Sequence, residues 1–192
     1  LVEELGRSIG YYAIEPKAPS VQVARPVRAF SKMQERVARR LLSMEGGFNE
    51  VLSYAFAHGP TAKKLLGDDI KGLELANPIS TDWQRMRMSL APNLLKMAVE
   101  NRRYFADLKL FEMGRIFEPT SAGLAPQPRR LGLVSVHGSE PAPLEANLVH
   151  LRRLVGRYLD TLNYSSYDFE SGIHGFDHEA QWMHPNRSLT LT

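Results

Sequence analysis

Hydrophobic side chains recur at helical spacing in several segments of the chain, most clearly between Leu90 and Arg103. Ser89 is a suitable N-cap for this helix, Pro92 is tolerated in its first turn, and cations suit its C-terminal end. The apolar positions that predict its buried face are Leu90, Leu94, Met97 and Val99. Hydrophobic and β-forming residues follow over Lys109–Phe117 and predict a strand. This segment therefore predicts a helix that packs on a sheet.

The rest of the chain mixes helical and strand patterns. Further helices are predicted over 1–10, 31–45, 60–66 and 148–162, and further strands over 50–56, 73–76, 131–137, 167–170 and 187–191. Ser31 and Gln34 have the spacing of a capping box at the start of the second helix. The apolar stripe of that helix is Met33, Val37, Leu41 and Met44. The irregular order of elements favours an α+β fold with a mainly antiparallel sheet over repeated βαβ units.

Prolines concentrate near the start of the chain, at Pro16, Pro19 and Pro26. Each proline fixes its own φ and restricts the residue before it, so this stretch is interpreted as a stiff connector. We expect residues 1–20 to be the end of a preceding domain with its linker. Residues 21–192 are expected to form one core domain that is truncated at its C-terminus, because the last residues have the pattern of a strand interior.

Composition narrows the class of protein. A length of 192 residues suits one domain with a full core, and the formal net charge of +3 permits nucleic-acid contact without demanding it. No apolar run is long enough to cross a membrane, so no membrane partner is expected. The chain has no cysteine, which excludes disulfides and cysteine-ligated metals and fits a cytoplasmic protein.

Three arginines close together in the sequence suggest either an RNA-binding surface or a solvated helix face. Arg36, Arg39 and Arg40 lie on one predicted helix and could bind RNA phosphates, because guanidinium pairs well with phosphate. No aromatic residues interleave with these arginines to stack on bases. We therefore favour a solvated helix face with acidic neighbours.

Other catalytic patterns find little support in the sequence. His174, His178 and His184 lie close to two acidic residues, but the glycines among them indicate a loop rather than the helix of a zinc hydrolase. We therefore expect no metal site. Nucleophilic catalysis is not indicated either, because cysteine and a GxSxG motif are absent and the serines near His58 and His137 form no recognisable order.

Specific residues also recur in a fixed order along the chain. The main set is Asn77-Pro78, Met86-Arg87-Met88-Ser89-Leu90, Leu94-Leu95, Asn101 and Leu110-Phe111-Glu112-Met113-Gly114-Arg115-Ile116-Phe117. Flanking sets are Glu3-Glu4-Leu5-Gly6-Arg7-Ser8-Ile9-Gly10-Tyr11 with Ile14 and Pro16, and His184-Pro185-Asn186-Arg187-Ser188. Together they resemble the core of the bacterial phenylalanine–tRNA ligase beta-subunit family. Departures from the family pattern are Gly6, Ser8, Met86, Met88 and Asn186.

The resemblance implies a class II aminoacyl-tRNA synthetase-like antiparallel sheet flanked by helices, without an active site. The family pattern around Gly114 differs from the fRxE motif of active enzymes, and a glycine stands where a catalyst would carry a functional side chain. Glu112 and Arg115 are therefore interpreted as structural, in an ion pair or an interface contact. No catalytic, cofactor-binding or metal-binding residue is expected. The structural or interface candidates are Arg87, Leu90, Leu94, Asn101, Phe111, Glu112, Gly114, Arg115, His184 and Arg187.

The resemblance also implies partners. In this family the alpha subunit carries the active site, which uses ATP, magnesium, phenylalanine and tRNA(Phe), and the beta core packs against it in an (αβ)₂ heterotetramer. Leu90–Arg103 and Lys109–Phe117 are then expected at or near a subunit contact. This fragment alone is expected to hold no cofactor and to be inactive. Two alternatives stay open, a stand-alone RNA-binding module and an adenylate-forming class II-like enzyme.

Overall fold

The structure is a computed structural model that describes residues 1–27, 29–67, 72–121, 123–138, 144–164, 166–171 and 189–191. Its helices are α1 Val2–Ile9, α2 Phe30–Arg40, α3 Gly59–Leu66, α4 Ala91–Asn101 and α5 Leu144–Thr161. A 3-10 turn, Tyr11–Ala13, follows α1, and a π-helical turn, Leu41–Glu45, follows α2. The strands are β1 Asn49–Glu50, β2 Phe56–Ala57, β3 Arg85–Met86, β4 Leu108–Arg115, β5 Arg129–Val136, β6 Phe169–Ser171 and β7 Leu189–Leu191.

Strand β4 is the centre of the largest sheet, which has the order β1-β4-β5. Strands β4 and β5 pair antiparallel over their whole length, from Leu108 opposite Val136 to Arg115 opposite Arg129. Strand β1 pairs parallel with β4. The pairs β2-β3 and β6-β7 are both antiparallel. The predicted α+β class with a mainly antiparallel sheet is thus confirmed.

Each face of β4 packs against a different hydrophobic cluster, because successive strand residues point to opposite faces. One cluster joins α4 to the sheet and comprises Leu90, Leu94, Ala98, Leu108, Leu110 and Ile116. The other joins α2 and α5 to the sheet and comprises Ala38, Leu42, Phe48, Phe111, Met113 and Leu154. Strand β4 is therefore the middle layer between α4 and the α2–α5 side.

Helix α4 confirms the strongest sequence pattern, with two errors. The Ser89 hydroxyl accepts a hydrogen bond from the Ala91 N–H at 3.2 Å, but the N-cap residue is Leu90 and no side chain caps the helix, so the predicted cap at Ser89 is wrong. Val99, predicted to face the core, is 73% exposed, and Ala98 is buried instead. At 3.6 residues per turn, the position four after Leu94 lies over it, whereas the fifth is rotated away. Strand β4 starts one residue earlier and ends two residues earlier than predicted.

Helix α2 begins differently from the prediction. Its N-cap is Ala29, and no side chain caps it, so the predicted capping box of Ser31 and Gln34 is wrong. Of its predicted apolar stripe, Met33 is 46% and Met44 is 77% exposed. Met44 lies in the π-helical turn, where side chains face other directions than a regular α-helical period predicts. Met33 lies in the first turn of α2, outside this change of period.

The strand predicted over 50–56 is wrong as a continuous element, because β1 ends at Glu50 and β2 starts at Phe56. The Val51 N–H still donates to the Phe111 carbonyl at 2.8 Å. The strand predicted over 73–76 is reduced to a bridge between Glu74 and its partner in β3. Strand β3 itself was not predicted.

The remaining elements agree with the sequence patterns. Helices α1, α3 and α5 and strands β5, β6 and β7 lie within or close to their predicted ranges. Gly10 and Gly67 follow α1 and α3 with φ of 83° and 85°, which explains why glycine ends both helices. The proline-rich connector has no helix or strand at its described positions, and the domain boundary stays a prediction. In the described part of the chain, no helix is long and apolar enough to span a membrane.

Candidate functional site

A buried arginine–glutamate pair lies on the α4 side of the sheet. Arg87 follows β3 and is 5% exposed, and Glu112 lies in the middle of β4 and is 1% exposed. The Arg87 Nη1 atom donates to Glu112 Oε1 at 2.6 Å. A single unpaired charge buried this deeply would strongly destabilise the fold, so the burial of each side chain requires the opposite charge of the other.

Ser53 completes the hydrogen bonding of this pair, and Asn93 holds the segment that carries Ser53. The Ser53 hydroxyl donates to Glu112 Oε2 at 2.7 Å and accepts from Arg87 Nη1 at 2.8 Å. The Asn93 amide donates to the carbonyls of Tyr54 at 3.1 Å and Phe56 at 2.9 Å. The segment between β1 and β2 therefore lies outside the sheet, and its backbone carbonyls and the Ser53 hydroxyl form hydrogen bonds with side chains instead. Ser53, Arg87, Asn93, Glu112 and Gly114 are called the Arg87–Glu112 cluster below.

Gly114 provides the space that the arginine occupies. A Cβ atom at this position would lie 2.2 Å from Arg87 Nη2 and 3.1 Å from Glu112 Oε1. The Arg87 Nε atom also donates to the Arg115 carbonyl at 2.8 Å, which fixes the guanidinium beside the strand. Glycine at this position thus has a structural cause. Whether it also replaces a catalytic side chain stays a prediction.

The other structural candidates occupy several environments. Leu90, Leu94 and Phe111 are buried at 4%, 1% and 0% exposure among side chains of the same chain. The Asn101 amide donates to the Met97 carbonyl at 2.8 Å near the end of α4. Because the chain itself covers these apolar side chains, any effect they have on a partner subunit would be indirect.

Glu112 and Arg115 do not pair with each other. Glu112 faces Arg87, whereas Arg115 is exposed and its Nη1 atom donates to Gln127 Oε1 at 3.2 Å. Residues three apart on a strand point to opposite faces, which excludes the pair within β4. His184 and Arg187 lie outside the described residues, as do the other histidines of the window that was considered for a metal site.

A small surface cleft of about 250 Å³ lies between α3, the antiparallel β2-β3 pair and the start of α4. Its charged lining residues are Lys63, Asp82 and Arg85. Ligand pockets typically measure about 300–1,000 Å³, so the cleft is small for an organic ligand. Among the described residues, no group of three or more side chains could hold a metal ion.

Sequence reasoning missed a hydrogen-bonded row at one end of the β4-β5 pair. The Ser135 Oγ atom lies 3.0 Å from His137 Nε2, and His137 Nδ1 lies 3.3 Å from Asp107 Oδ1. A serine and a histidine two apart on a strand share a face, and this spacing could have revealed the row. Asp107 is 75% exposed, and no residue of the row lines the cleft. The carboxylate end of the row is therefore open to water rather than enclosed in the desolvated pocket of a catalytic triad, and we assign the row no catalysis.

A second network ties α2 to the sheet. The Arg39 Nε atom donates to Glu50 at 2.8 Å, and Arg39 Nη1 lies 3.4 Å from Glu35. The hydrogen bond to Glu50 raises the pKa of Arg39, against the smaller opposing effect of burial. Arg129 of β5 also pairs with Glu35, at 3.0 Å. Arg39 is therefore engaged by carboxylates, which agrees with the solvated-face interpretation rather than with phosphate binding.

Two solved aminoacyl-tRNA synthetase structures share this architecture. The pyrrolysyl-tRNA synthetase of Desulfitobacterium hafniense superposes with a TM-score of 0.59 at 19% identity, over 74% of this chain and 50% of that chain. A histidine–tRNA ligase subunit of Alicyclobacillus acidocaldarius gives a TM-score of 0.54 at 18% identity, over 81% of this chain and 44% of that chain. The fold is that of the class II aminoacyl-tRNA synthetase catalytic-type domains.

Sequence relatives narrow this class further. Residues 14–192 match the family model of the phenylalanyl tRNA synthetase beta chain CLM domain. Phenylalanine–tRNA ligase beta subunits of Leptospira biflexa and Vibrio cholerae are 33% and 31% identical over all of this chain. The chain spans 24% of the length of each of these relatives. The chain belongs to the family of phenylalanyl tRNA synthetase beta chain CLM domains, as the resemblance in its sequence predicted.

Proposed function

We propose that this domain is the non-catalytic core of the beta subunit of a phenylalanine–tRNA ligase, where it packs against the catalytic alpha subunit. The Arg87–Glu112 cluster is the observation that carries the non-catalytic part. Its arginine and glutamate are 5% and 1% exposed and bind each other, so neither presents a charge to a substrate. Family membership supports the role in phenylalanine–tRNA ligase.

The residues around the cluster do not fit ATP and its magnesium. The Arg87 guanidinium, which could otherwise bind a phosphate, is bonded to Glu112. The neighbouring cleft of about 250 Å³ is lined by both positively and negatively charged side chains. In this proposal the alpha subunit binds ATP, magnesium and phenylalanine, tRNA(Phe) reaches the domain through the assembled (αβ)₂ enzyme, and the enzyme works in the cytoplasm. The adenylate-forming alternative therefore has no support from the cluster.

Exposed apolar side chains support the proposal that this domain contacts a partner subunit. Leu52 is 81%, Tyr54 is 72% and Ile79 is 78% exposed, and Tyr54 packs edge-on against Trp83 with ring centroids 6.0 Å apart. Leu52 and Tyr54 alternate with the inward-facing Ser53, so the segment that anchors the cluster also presents apolar side chains to solvent. Exposed apolar patches are typical of protein interfaces.

Co-expression of the full-length alpha and beta subunits tests the packing. We expect the double change Leu52→Ala and Tyr54→Ala to reduce retention of the alpha subunit in a pull-down. The matched control is Tyr12→Ala with Leu124→Ala, since Tyr12 is fully exposed and Leu124 is 89% exposed elsewhere on the chain. Equal retention in both double variants would overturn the interface at this face.

Pyrophosphate exchange tests the non-catalytic part. This chain alone, at high concentration with phenylalanine and ATP, is expected to give a flat signal, while the assembled enzyme gives exchange. An ATP-dependent exchange signal from the isolated chain that requires added phenylalanine would overturn the non-catalytic part of the proposal.

A further inference from the structure

The turn that follows α4 exposes two cations and two aromatic rings together. Arg102 and Arg103 are exposed, and Tyr104 and Phe105 are 68% and 55% exposed. The Arg103 guanidinium carbon lies 4.7 Å from the centroid of the Tyr104 ring. The N–H groups of Tyr104 and Phe105 donate to the Asn101 carbonyl at 2.9 and 3.1 Å, so the backbone of the turn is fixed. These residues are called the Arg102–Phe105 turn.

The charges of this turn are not neutralised by neighbouring acids. In the part of the chain that the structure describes, neither Arg102 nor Arg103 forms an ion pair. The acidic residues nearest in sequence are engaged elsewhere: Glu100 pairs with Lys96, and Asp107 contacts His137 and accepts from the Gly138 N–H. The two guanidinium groups therefore remain available for an external anion.

We propose that the Arg102–Phe105 turn is an RNA contact that takes a single-stranded segment of tRNA. Guanidinium groups pair with phosphate oxygens, and exposed aromatic rings stack on unpaired bases of any sequence. Cations interleaved with aromatic rings are the combination that single-stranded RNA sites use. The inference rests on the proposed function, because the enzyme is what brings tRNA to this domain.

An acidic protein segment is a weaker fit than RNA. Carboxylates would satisfy the two arginines but would leave the Tyr104 and Phe105 rings facing charged side chains. A nucleotide offers a phosphate and a flat base from one residue, and so engages both kinds of side chain. The Arg103 guanidinium carbon lies 4.7 Å from the Tyr104 ring centroid, so a phosphate-binding group and an aromatic ring lie side by side.

Helix α2 offers a matched control for charge. Arg36 and Arg40 are also exposed and form no ion pair among the described residues. They lie four residues apart on one helix face without an aromatic residue between them. Changing them removes the same charge as changing Arg102 and Arg103, so general electrostatic attraction for RNA falls equally in both variants.

The first experiment measures tRNA(Phe) binding to the assembled full-length enzyme at several salt concentrations. We expect Arg102→Ala with Arg103→Ala to weaken binding about tenfold. The slope of log K against log salt should fall by about 1.4, at roughly 0.7 per phosphate of a single strand. Arg36→Ala with Arg40→Ala is expected to change binding by less than about twofold. Equal losses in the two variants, or no loss in the first, would overturn the proposal.

The second experiment separates stacking from charge. Tyr104→Ala is expected to weaken binding roughly fivefold or more with an unchanged salt slope, whereas Tyr104→Phe keeps the affinity. Tyr12→Ala is the control, because Tyr12 is a fully exposed tyrosine elsewhere. Retention of the alpha subunit is measured in every variant. Unchanged tRNA affinity with intact retention of the alpha subunit would overturn the RNA contact alone. Undiminished retention of the alpha subunit by the Leu52 and Tyr54 double variant would instead overturn the proposed interface.

Discussion

Arginines at the two ends of α4 have opposite environments. At the N-terminal end, Arg87 is 5% exposed and bound to Glu112 at 2.6 Å. At the C-terminal end, Arg102 and Arg103 are exposed and form no ion pair among the described residues. The guanidinium group therefore stabilises the fold at the N-terminal end of α4, whereas at the C-terminal end it is available to a binding partner.

The difference shows that burial and acidic partners decide what an arginine can do. A buried guanidinium must be satisfied within the chain, and Ser53, Glu112 and the Arg115 carbonyl accept its hydrogen bonds. An exposed guanidinium keeps its hydration and exchanges it for a ligand at little cost. Loss of the buried guanidinium should therefore affect folding, and loss of the exposed guanidinium groups should affect RNA binding.

The largest expected effect is the loss of Arg87. Arg87→Ala should destabilise this chain by about 3–5 kcal/mol, because the Glu112 carboxylate would remain buried without its partner. Urea unfolding measures the change. The double variant Arg87→Met with Glu112→Met should recover most of the stability. A loss below about 1 kcal/mol in Arg87→Ala would mean that the pair is not buried as described.

Gly114→Ala should be nearly as damaging, at about 3 kcal/mol, because its Cβ would lie 2.2 Å from Arg87 Nη2 and displace the guanidinium. Gly72→Ala is the control, since a Cβ there meets its nearest neighbour at an ordinary 3.5 Å. Combining Gly114→Ala with Arg87→Ala tests the cause by thermal denaturation. If the two losses simply add, Gly114 does not act through Arg87.

Sequence patterns located α4, β4 and β5 because apolar spacing and β-propensity are local properties of the chain. The family resemblance identified the fold class, since motif order survives where single matches are weak. The Arg87–Glu112 cluster could not be predicted as a unit. Ser53 is 34 residues from Arg87 and 59 from Glu112, and only the folded chain brings them together.

Exposure was the second property that local patterns could not supply. Arg102 and Arg103 were recognised only as cations that suit a helix C-terminus, and their lack of acidic partners follows from how Glu100 and Asp107 are engaged. Val99 shows the same limit, because an error of one position on a helix moves a side chain from core to solvent.

A smaller effect is expected at Ser53. Ser53→Ala removes the hydroxyl that donates to Glu112 and accepts from Arg87, while the charged pair itself remains. We expect a loss of about 1–2 kcal/mol in the free energy of unfolding. Ser121→Ala, at an exposed position, should change it by less than about 0.5 kcal/mol. Equal stabilities of the two variants would show that the hydroxyl is replaceable by water.

The smallest expected effect on stability is at the other end of α4. Arg102→Ala with Arg103→Ala should change the free energy of unfolding by less than about 0.5 kcal/mol, since both side chains are exposed and unpaired in the described structure. The turn itself is held by backbone hydrogen bonds to Asn101, which the substitutions keep. Urea unfolding of this chain provides the measurement. A loss of unfolding free energy comparable to that of Arg87→Ala would show that Arg102 and Arg103 also stabilise the fold. The two ends of the helix would then not differ in this respect.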